Sequence, residues 1–288
     1  MTLRVAECLL VPVLLVACGR TALLDARTEE LCTPPVIDLG VVPSQQFGPA
    51  TLITELAAPG GDDDPTLTGD MLEIFFESQR SGTSRIWHAT RDTADDAWDP
   101  PTPVSEFDGL GANTPEVSRD GLRLRFATTL PSVQADLYEA TRPDRASSWS
   151  NPVRLDRLDT AFGETGCAEF LDGYGVVFFS NRSGSNQLWQ ALREASSCTD
   201  FDVSTTTMLG VAGANPWMRN DGLTLAYSDG DLYVVTRAAL NDAFGTPQPL
   251  SSLNSGANDD DPWMNDDMTR IFFTSVVTGD PELYTATR

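Results

Sequence analysis

Two runs of three consecutive aspartates, residues 62–64 and residues 259–261, are the positions of this 288-residue chain best suited to chemistry. Carboxylates held close together raise one another's pKa or bind a cation, and oxygen ligands of this kind suit Ca²⁺. The alternative is that these side chains cap turns. If the fold brings the two runs together, the predicted calcium ligands are Asp63, Asp64, Asp260 and Asp261.

Other polar residues stand at matching points of a repeated unit, just before a predicted strand. Two tryptophans follow the prolines that open these strands, and exposed indoles beside carboxylates and amides suit a sugar or peptide ligand. Burial of the indoles between neighbouring sheets is the alternative. The candidate ligand-binding residues are Asp62, Asp63, Asp64, Asn113, Glu164, Asn215, Trp217, Asp259, Asp260, Asp261 and Trp263.

The elements that must position these residues form a fivefold repeat. Each unit has a strand that begins with leucine or isoleucine and an aromatic residue, and that ends with arginine. Asp-Gly pairs such as Asp120-Gly121 predict hairpin turns between the strands. Four strands in a unit of roughly 50 residues predict an all-β, five-bladed propeller with antiparallel blades. The arginine strands are residues 86–91, 137–142, 188–193, 232–237 and 283–288.

The last unit takes its fourth strand from the other end of the repeat. In the first four units, an aromatic residue followed six positions later by a branched residue marks the fourth strand. The fifth unit reaches Arg288 without such a pair, whereas Phe47 and Ile53 show this spacing before the first unit. We therefore expect residues 47–56 to complete the last blade and close the ring, which removes an exposed sheet edge.

The strand-ending arginines and the turn aspartates are expected at the same face, because the third strand of a blade ends where the second begins. We predict an Asp–Arg pair within each blade, contributing about 0–1 kcal/mol where it is exposed. The aspartates are Asp70, Asp120, Asp172, Asp221 and Asp267, and the arginines are Arg91, Arg142, Arg193, Arg237 and Arg288.

The beginning of the chain has the features of a targeting segment. An apolar stretch leads to Leu15, Ala17 and Cys18, which is similar, position by position, to a bacterial lipoprotein signal. The resemblance implies a signal peptide over residues 1–17 and two acyl chains on Cys18, which anchor the protein to a membrane. An ordinary secretory signal is the alternative. Gly19 favours the outer membrane, with the protein facing the periplasm or the cell surface.

Residues 18–46 contain prolines and show no sustained period, which predicts a flexible tether, followed by one propeller domain over residues 47–288. The formal net charge is −23, from 42 acidic and 19 basic side chains. Such a surface repels nucleic acid and anionic lipid. We expect a monomer that touches the membrane only through its lipid anchor.

The units resemble the TolB-type, WD-repeat-like propeller repeat. The second unit matches its first strand and turn, and the third unit matches its second turn and third strand. The resemblance implies a non-enzymatic binder of cell-envelope proteins, and a glycan is the other partner considered. TolB itself has six blades and a further domain, whereas five units are found here. The matching residues are Pro115, Ser118, Asp120, Gly121, Ser180, Arg182, Gly184, Leu188 and Trp189.

Signals for catalysis are few. His88 is the only histidine and no Gly-x-Ser-x-Gly motif occurs, which argues against multi-histidine metal sites and serine hydrolases. We predict no catalytic residue, and no cofactor apart from the candidate calcium. The alternatives are a calcium-dependent carbohydrate-binding propeller and a five-bladed glycoside hydrolase. The hydrolase would use Asp63 or Asp64 as base and Glu164 or Glu169 as acid.

Three cysteines remain for an oxidising compartment once Cys8 and Cys18 are set aside. Cys167 begins a first strand and Cys198 follows a third strand, so they are expected at opposite faces of one blade, beyond disulfide reach. Cys32 in the tether can meet Cys198. The candidate disulfide is therefore Cys32–Cys198, with one thiol left over.

Overall fold

The computed structural model describes residues 33–194 and 200–288, which form a ring of five β-sheets. Each sheet has four antiparallel strands, so the predicted all-β, five-bladed propeller is confirmed. Helix in the described residues is limited to two 3-10 segments, Ser105–Phe107 and Val203–Thr205. None of the helices described is long and apolar enough to span a bilayer. The predicted signal peptide, the predicted lipidation site Cys18 and the predicted Cys32–Cys198 disulfide lie outside the described residues.

The strands are short, and the outermost strand of every blade has two residues. Blade one contains β2 (Asp62–Leu67), β3 (Glu73–Ser78), β4 (Arg85–Thr90) and β5 (Thr102–Pro103). Blade two contains β6 (Asn113–Val117), β7 (Arg123–Thr128), β8 (Asp136–Thr141) and β9 (Val153–Arg154). Blade three contains β10 (Glu164–Phe170), β11 (Gly175–Ser180), β12 (Gln187–Leu192) and β13 (Thr207–Met208). Blade four contains β14 (Ala214–Met218), β15 (Thr224–Ser228), β16 (Leu232–Thr236) and β17 (Gln248–Pro249). Blade five contains β18 (Asp259–Met264), β19 (Arg270–Ser275), β20 (Glu282–Thr287) and β1 (Thr51–Leu52).

An aromatic residue at one fixed position of the second strand supports the packing of every blade. Successive side chains of a strand point to opposite faces, so a fixed position always meets the same neighbouring sheet. All five aromatic residues are at most 4% exposed. Full burial of such a side chain contributes about 1.5–3 kcal/mol. They are Phe76, Phe126, Phe178, Tyr227 and Phe273.

The ring closes between the first and the last strand, as predicted. β1 pairs antiparallel with β20, with Thr51 opposite Thr285 and Leu52 opposite Tyr284. The backbone amide of Gly48 donates to the carbonyl of Thr287 at 2.8 Å. The segment over residues 47–56 therefore supplies the fourth strand of blade five, of which Thr51–Leu52 is in strand conformation.

The arginine that ends each third strand makes the same two contacts in all five blades. Its Nε donates to a backbone carbonyl of the turn between the first two strands, at 2.5–2.8 Å. Its guanidinium carbon lies 4.0–4.8 Å from the centre of the aromatic ring that introduces the fourth strand. The pairs are Arg91 with Trp98, Arg142 with Trp149, Arg193 with Phe201, Arg237 with Phe244 and Arg288 with Phe47.

The predicted Asp–Arg pairs within blades are wrong, although the two groups do share a face. Stacking on the aromatic ring directs the Nε of each arginine to the turn carbonyl. Four of the five turn aspartates fold back onto their own turns: Asp120 accepts from the amide of Leu122 at 2.9 Å, and Asp221 accepts from the amide of Leu223 at 2.9 Å. Asp70 and Asp267 cap their turns in the same way, whereas Asp172 accepts from Asn220 of the next blade.

The described end of the predicted tether contacts the propeller. Arg219 donates to the carbonyl oxygens of Leu39 and Gly40, and Arg288 donates to that of Gln45. Both arginines belong to the face that carries the turns between first and second strands. Residues 39–45 therefore lie along that face, and the mouth formed by the aspartate runs is at the opposite end of the channel.

Candidate functional site: the acidic mouth of the central channel

The first strand of every blade carries an irregularity at the channel. A register shift in its pairing with the second strand leaves one residue with a positive φ of 41–52°. A bulge of this kind re-aims a side chain, and non-glycine residues in this conformation cost about 1–3 kcal/mol each. Proline follows in four blades and cysteine in the third. The five bulge residues are Asp64, Thr114, Gly166, Asn215 and Asp261.

These five residues, with the residues that follow them, line a cavity of about 40 Å³ on the axis of the ring. One water molecule needs about 10–15 Å³ on the same measure, so the cavity holds roughly three. Asp64 comes from blade one and Asp261 from blade five, which are neighbours across the ring closure. The acidic mouth, formed by Asp63, Asp64, Asp260 and Asp261, is the open end of this cavity.

Three of the four predicted calcium ligands converge. Each of Asp63, Asp64 and Asp261 offers a carboxylate oxygen that lies within 4.8 Å of the other two. Asp260 is engaged elsewhere: it accepts hydrogen bonds from Asn215 Nδ2 at 2.9 Å and from the hydroxyl of Ser228. The predicted ligand set is therefore corrected to three carboxylates, with Asp260 orienting the amide of Asn215.

The converging carboxylates oppose one another's ionisation. Burial, and then the charge of Asp63, raise the pKa of Asp64 well above its usual value. Burial, and then the charges of Asp64 and Asp63, do the same to the pKa of Asp261. Burial also raises the pKa of Glu77, which lies opposite Asp63 on the next strand. Asp261 is 7% exposed, and its buried Oδ1 has no hydrogen-bond partner among the described residues.

The acidic residues two positions before the bulge face away from the channel, contrary to prediction. Glu164 is fully buried and accepts hydrogen bonds from Thr160 and Ser180, with Arg182 at 3.1 Å. Asp62 likewise is paired with Arg80 at 2.5 Å. The equivalent residue of blade five, Asp259, is also fully buried and accepts from the Ser255 amide. These three side chains anchor the loop that enters each blade.

In blade two, the channel residue is Thr114 and not the predicted Asn113. Asn113 matches the position of Asp63 in the strand pairing, and its Nδ2 donates to the carbonyl of Gly111 at 3.4 Å. Thr114 faces the cavity and its Oγ1 accepts from the amide of Gly166 at 3.3 Å. In four blades the sequence could have identified the channel residue, because it stands directly before the proline of the first strand.

The two tryptophans of the mouth are part of the channel wall. Trp217 is 4% exposed and Trp263 is 7% exposed, and both belong to the core shared by blades four, five and one. They line the central cavity with their edges only partly reachable. The predicted exposed platform for sugar stacking is therefore wrong, because both indoles pack in the core between neighbouring blades.

Arg119 closes the other end of the channel, which sequence reasoning missed. Its guanidinium makes two hydrogen bonds of 3.0 Å to Asp266 of blade five, and others to the carbonyls of Glu169 in blade three and Met218 in blade four. Its own carbonyl accepts from Gly69 of blade one at 2.9 Å. A single residue of blade two, through its side chain and its backbone carbonyl, thus contacts the other four blades at this sealed end.

Glu169 is held in a matched ionic network beside the sealed end. It is 2% exposed, and its Oε2 lies 3.1 Å from a guanidinium nitrogen of Arg123 and 3.1 Å from one of Arg125. Burial alone would raise the pKa of this carboxyl, but Arg125, Arg123 and Arg119 lower it to about 2. Arg125, fully buried, is also bound by Glu139 at 2.9 Å.

Cys167 occupies the place that proline takes in the other blades. It is buried, and its thiol is free. Burial raises the pKa of this thiol above its usual value, so it stays protonated and is a poor soft-metal ligand.

No protein-family model matches the chain, and no curated protein matches it. Solved structures share its fold. TolB from Acinetobacter baumannii aligns with a TM-score of 0.51 and 16% identity, covering 81% of this chain and 56% of that one. A TolB of Agrobacterium tumefaciens aligns with a TM-score of 0.53 and 13% identity, and the alignment covers 78% of this chain and 76% of that one. An α-L-arabinofuranosidase from Podospora anserina aligns with a TM-score of 0.60 and 12% identity, and the alignment covers 85% of this chain and 98% of that one. At these identities the likeness establishes the propeller fold alone.

Proposed function

We propose that this chain is a non-catalytic cell-envelope lipoprotein whose propeller binds a protein partner at the face that carries the acidic mouth. The fold is shared with TolB and with a glycoside hydrolase, so fold by itself does not choose between binding and catalysis. The choice rests on what the carboxylates of the site can do.

The observation that carries the proposal is the state of the two glutamates considered as the acid of a glycosidase. A general acid must be protonated at working pH and must reach the substrate. Glu164 is fully buried and bound to Arg182, and Glu169 has its pKa lowered to about 2 at the sealed end. The cavity on the ring axis measures about 40 Å³, far below the roughly 300–1,000 Å³ of a typical ligand pocket. Neither glutamate fits the catalytic role.

Loops around the mouth favour a protein partner. Leu130 and Val133, in the loop between β7 and β8, are 48% and 91% exposed, and Phe162, in the loop before β10, is 46% exposed. The two loops adjoin, since the amide of Glu164 donates to the carbonyl of Ala135 at 2.8 Å. Exposed apolar side chains grouped beside a polar rim are typical of protein interaction sites.

The lipid anchor rests on the signal-like segment that ends at Cys18. Full-length protein expressed in a Gram-negative host should incorporate a fatty-acid analogue and sediment with membranes. Cys18→Ser should lose both properties while the fold, followed by circular dichroism, is unchanged. Labelling of the Cys18→Ser protein would contradict lipidation at this residue.

Site-specific photo-crosslinking in native membranes tests the binding face. A photoreactive residue at Val133 or Phe162 should give discrete protein adducts. The control is Val153, which is 68% exposed but lies on the outermost strand of blade two, away from the mouth. Equal adducts from Val153, or none from the two mouth positions, would contradict the proposal. Binding of purified cell-wall glycans without any protein adduct would replace the protein partner by a glycan.

A further inference from the structure

The three converging carboxylates of the mouth have no counter-charge among the described residues. Across residues 33–194 and 200–288, the ion pairs described involve Asp62 and Asp266 but not Asp63, Asp64 or Asp261. At the sealed end, by comparison, the buried Glu169 lies 3.1 Å from guanidinium nitrogens of both Arg123 and Arg125. Their absence here points to a charge that comes from outside the chain.

Asp261 provides an observation independent of the clustering. It is 7% exposed and lines the cavity, yet its Oδ1 is buried without a hydrogen-bond partner. A buried polar atom without a partner carries the full cost of its desolvation, and native structures resolve nearly all such cases with a donor, a water or an ion. The oxygen is therefore available for a ligand in the cavity.

The spacing and the chemistry of the cluster select the kind of ion. Calcium binds six to eight oxygens at about 2.3–2.6 Å, so oxygens on opposite sides of one ion lie about 4.6–5.2 Å apart. The three carboxylate oxygens lie within 4.8 Å of one another. The side chains of Thr114 and Asn215 line the same cavity and offer neutral oxygens, and its volume of about 40 Å³ leaves room for water ligands. Magnesium dehydrates reluctantly and is usually bound by only one or two protein carboxylates, whereas three converge here.

We infer that the acidic mouth binds one Ca²⁺ ion through the carboxylates of Asp63, Asp64 and Asp261. The ion sits on the axis of the ring, where it joins blade one to blade five beside the strand closure. This site does not depend on the proposed partner, since its ligands all come from the described chain. A test with the metal alone therefore separates failure of this inference from failure of the proposed binding function.

Calcium binding is tested on chelator-treated full-length protein in detergent. Isothermal titration with CaCl₂ should show one site per chain. At a free Ca²⁺ concentration about one hundred times the dissociation constant, the melting temperature should rise by about 5–10 °C. Tb³⁺, which replaces Ca²⁺ at oxygen sites, should luminesce on excitation of tryptophan, because Trp217 and Trp263 line the cavity. Added Ca²⁺ should quench that signal.

Asp261→Asn keeps the shape of the side chain and removes the unpartnered carboxylate. It should fold, lose the calcium-dependent rise in melting temperature and weaken Tb³⁺ luminescence at least tenfold. The matched control is Asp280→Asn, an exposed aspartate in the loop between β19 and β20 with the same change of charge. It should behave as wild type.

Three results would overturn the inference. The first is the absence of both titration heat and Tb³⁺ luminescence with wild-type protein at millimolar metal. The second is calcium binding by Asp261→Asn that equals the wild type. The third is an equal response to Mg²⁺, which would exclude calcium as the selected ion.

Discussion

The acidic mouth and the sealed end lie at opposite ends of one channel and treat buried charge differently. At the mouth, Asp64 and Asp261 face each other with no arginine paired to either in the described part of the chain. At the sealed end, Arg119 binds Asp266 through two hydrogen bonds, and Glu169 lies between two further guanidinium groups. The pKa of Asp64 is raised, whereas that of Glu169 is lowered to about 2.

Both ends are built from the same strands, so depth within the fold does not explain the difference. The bulge residue and the residue before the turn are five positions apart on each first strand, as Asp64 and Gly69 are. The two ends differ in whether arginine side chains of the described residues lie beside the carboxylates. A buried carboxylate that is matched within the protein contributes to structure, and one that is left unmatched is a candidate for binding.

Removing the closing strand should have the largest effect, because it removes the frame that holds both ends. Deletion of residues 47–57 takes away β1 and the ring of Phe47 beneath Arg288. We expect cooperative loss of β-structure, measured by far-ultraviolet circular dichroism. A truncated protein that melts at the wild-type temperature would disprove closure of the ring by this strand.

Arg119→Met should break the sealed end and leave Asp266 and Glu169 with less counter-charge. Arg119 and Asp266 are 21% and 28% exposed, so the pair is only partly buried. A hydrogen bond to a charged group contributes about 1.5–3 kcal/mol, so the free energy of unfolding in urea should fall by about that amount. Arg145→Met is the control, since Arg145 is about one-third exposed where it pairs with Asp70 and should cost about 1 kcal/mol or less. A cost for Arg119→Met no larger than that of Arg145→Met would remove the special role of the sealed end.

Acid should weaken the sealed end through Glu169. Its pKa is lowered to about 2 in the folded protein, from an ordinary value of 4.5, so ionised Glu169 stabilises the fold above about pH 4.5. This contribution is lost as the pH falls toward 2, and a shift of this size corresponds to about 3 kcal/mol. Glu169→Gln should therefore be less stable than wild type at pH 7, and the difference should shrink on acidification. A difference that is constant with pH would contradict the lowered pKa.

Asp261→Asn should change the free energy of unfolding least, and it should stabilise the protein where the other variants destabilise it. In metal-free buffer at pH 7 it removes one of the mutually repelling carboxylates, so the free energy of unfolding should rise, by less than the changes expected at the sealed end. Asp280→Asn should change stability by less than about 0.5 kcal/mol. Destabilisation by Asp261→Asn without metal would mean that the mouth is a matched structural site like the sealed end.

The fold was predictable because each blade repeats the same local signals, and the closure was predictable because one signal was displaced from the end of the repeat to its beginning. Arg288 and Phe47 form the same stacked pair as the arginines and aromatic rings of the other blades. The predicted Asp–Arg pairs failed because a shared face does not determine which acceptor a guanidinium meets.

The site was predicted only in part because neighbouring residues of a strand face different surroundings. Asp62 and Asp64 belong to one run, yet Asp62 anchors a loop and Asp64 faces the cavity. The two side chains differ because the bulge shifts the strand register between Asp63 and Thr66. The sealed end escaped prediction for another reason. Its residues occupy the place before the turn aspartate, and that place holds a different amino acid in each unit, Arg119 in one and Asp266 in another. Arg119 and Asp266 pair across the ring and are far apart in the sequence, so no short sequence motif marks them.

The pairing of β1 with β20 also bears on how the chain reaches its native state. Thr51 and Thr285, which are partners in this sheet, are 234 positions apart in the chain. Contacts of such long sequence separation form late and slow folding. While the chain is being synthesised, the amides and carbonyls of the segment carrying β1 stay unpaired until β20 has been made. The window for misassembly or capture by chaperones therefore lasts until the final strand is delivered.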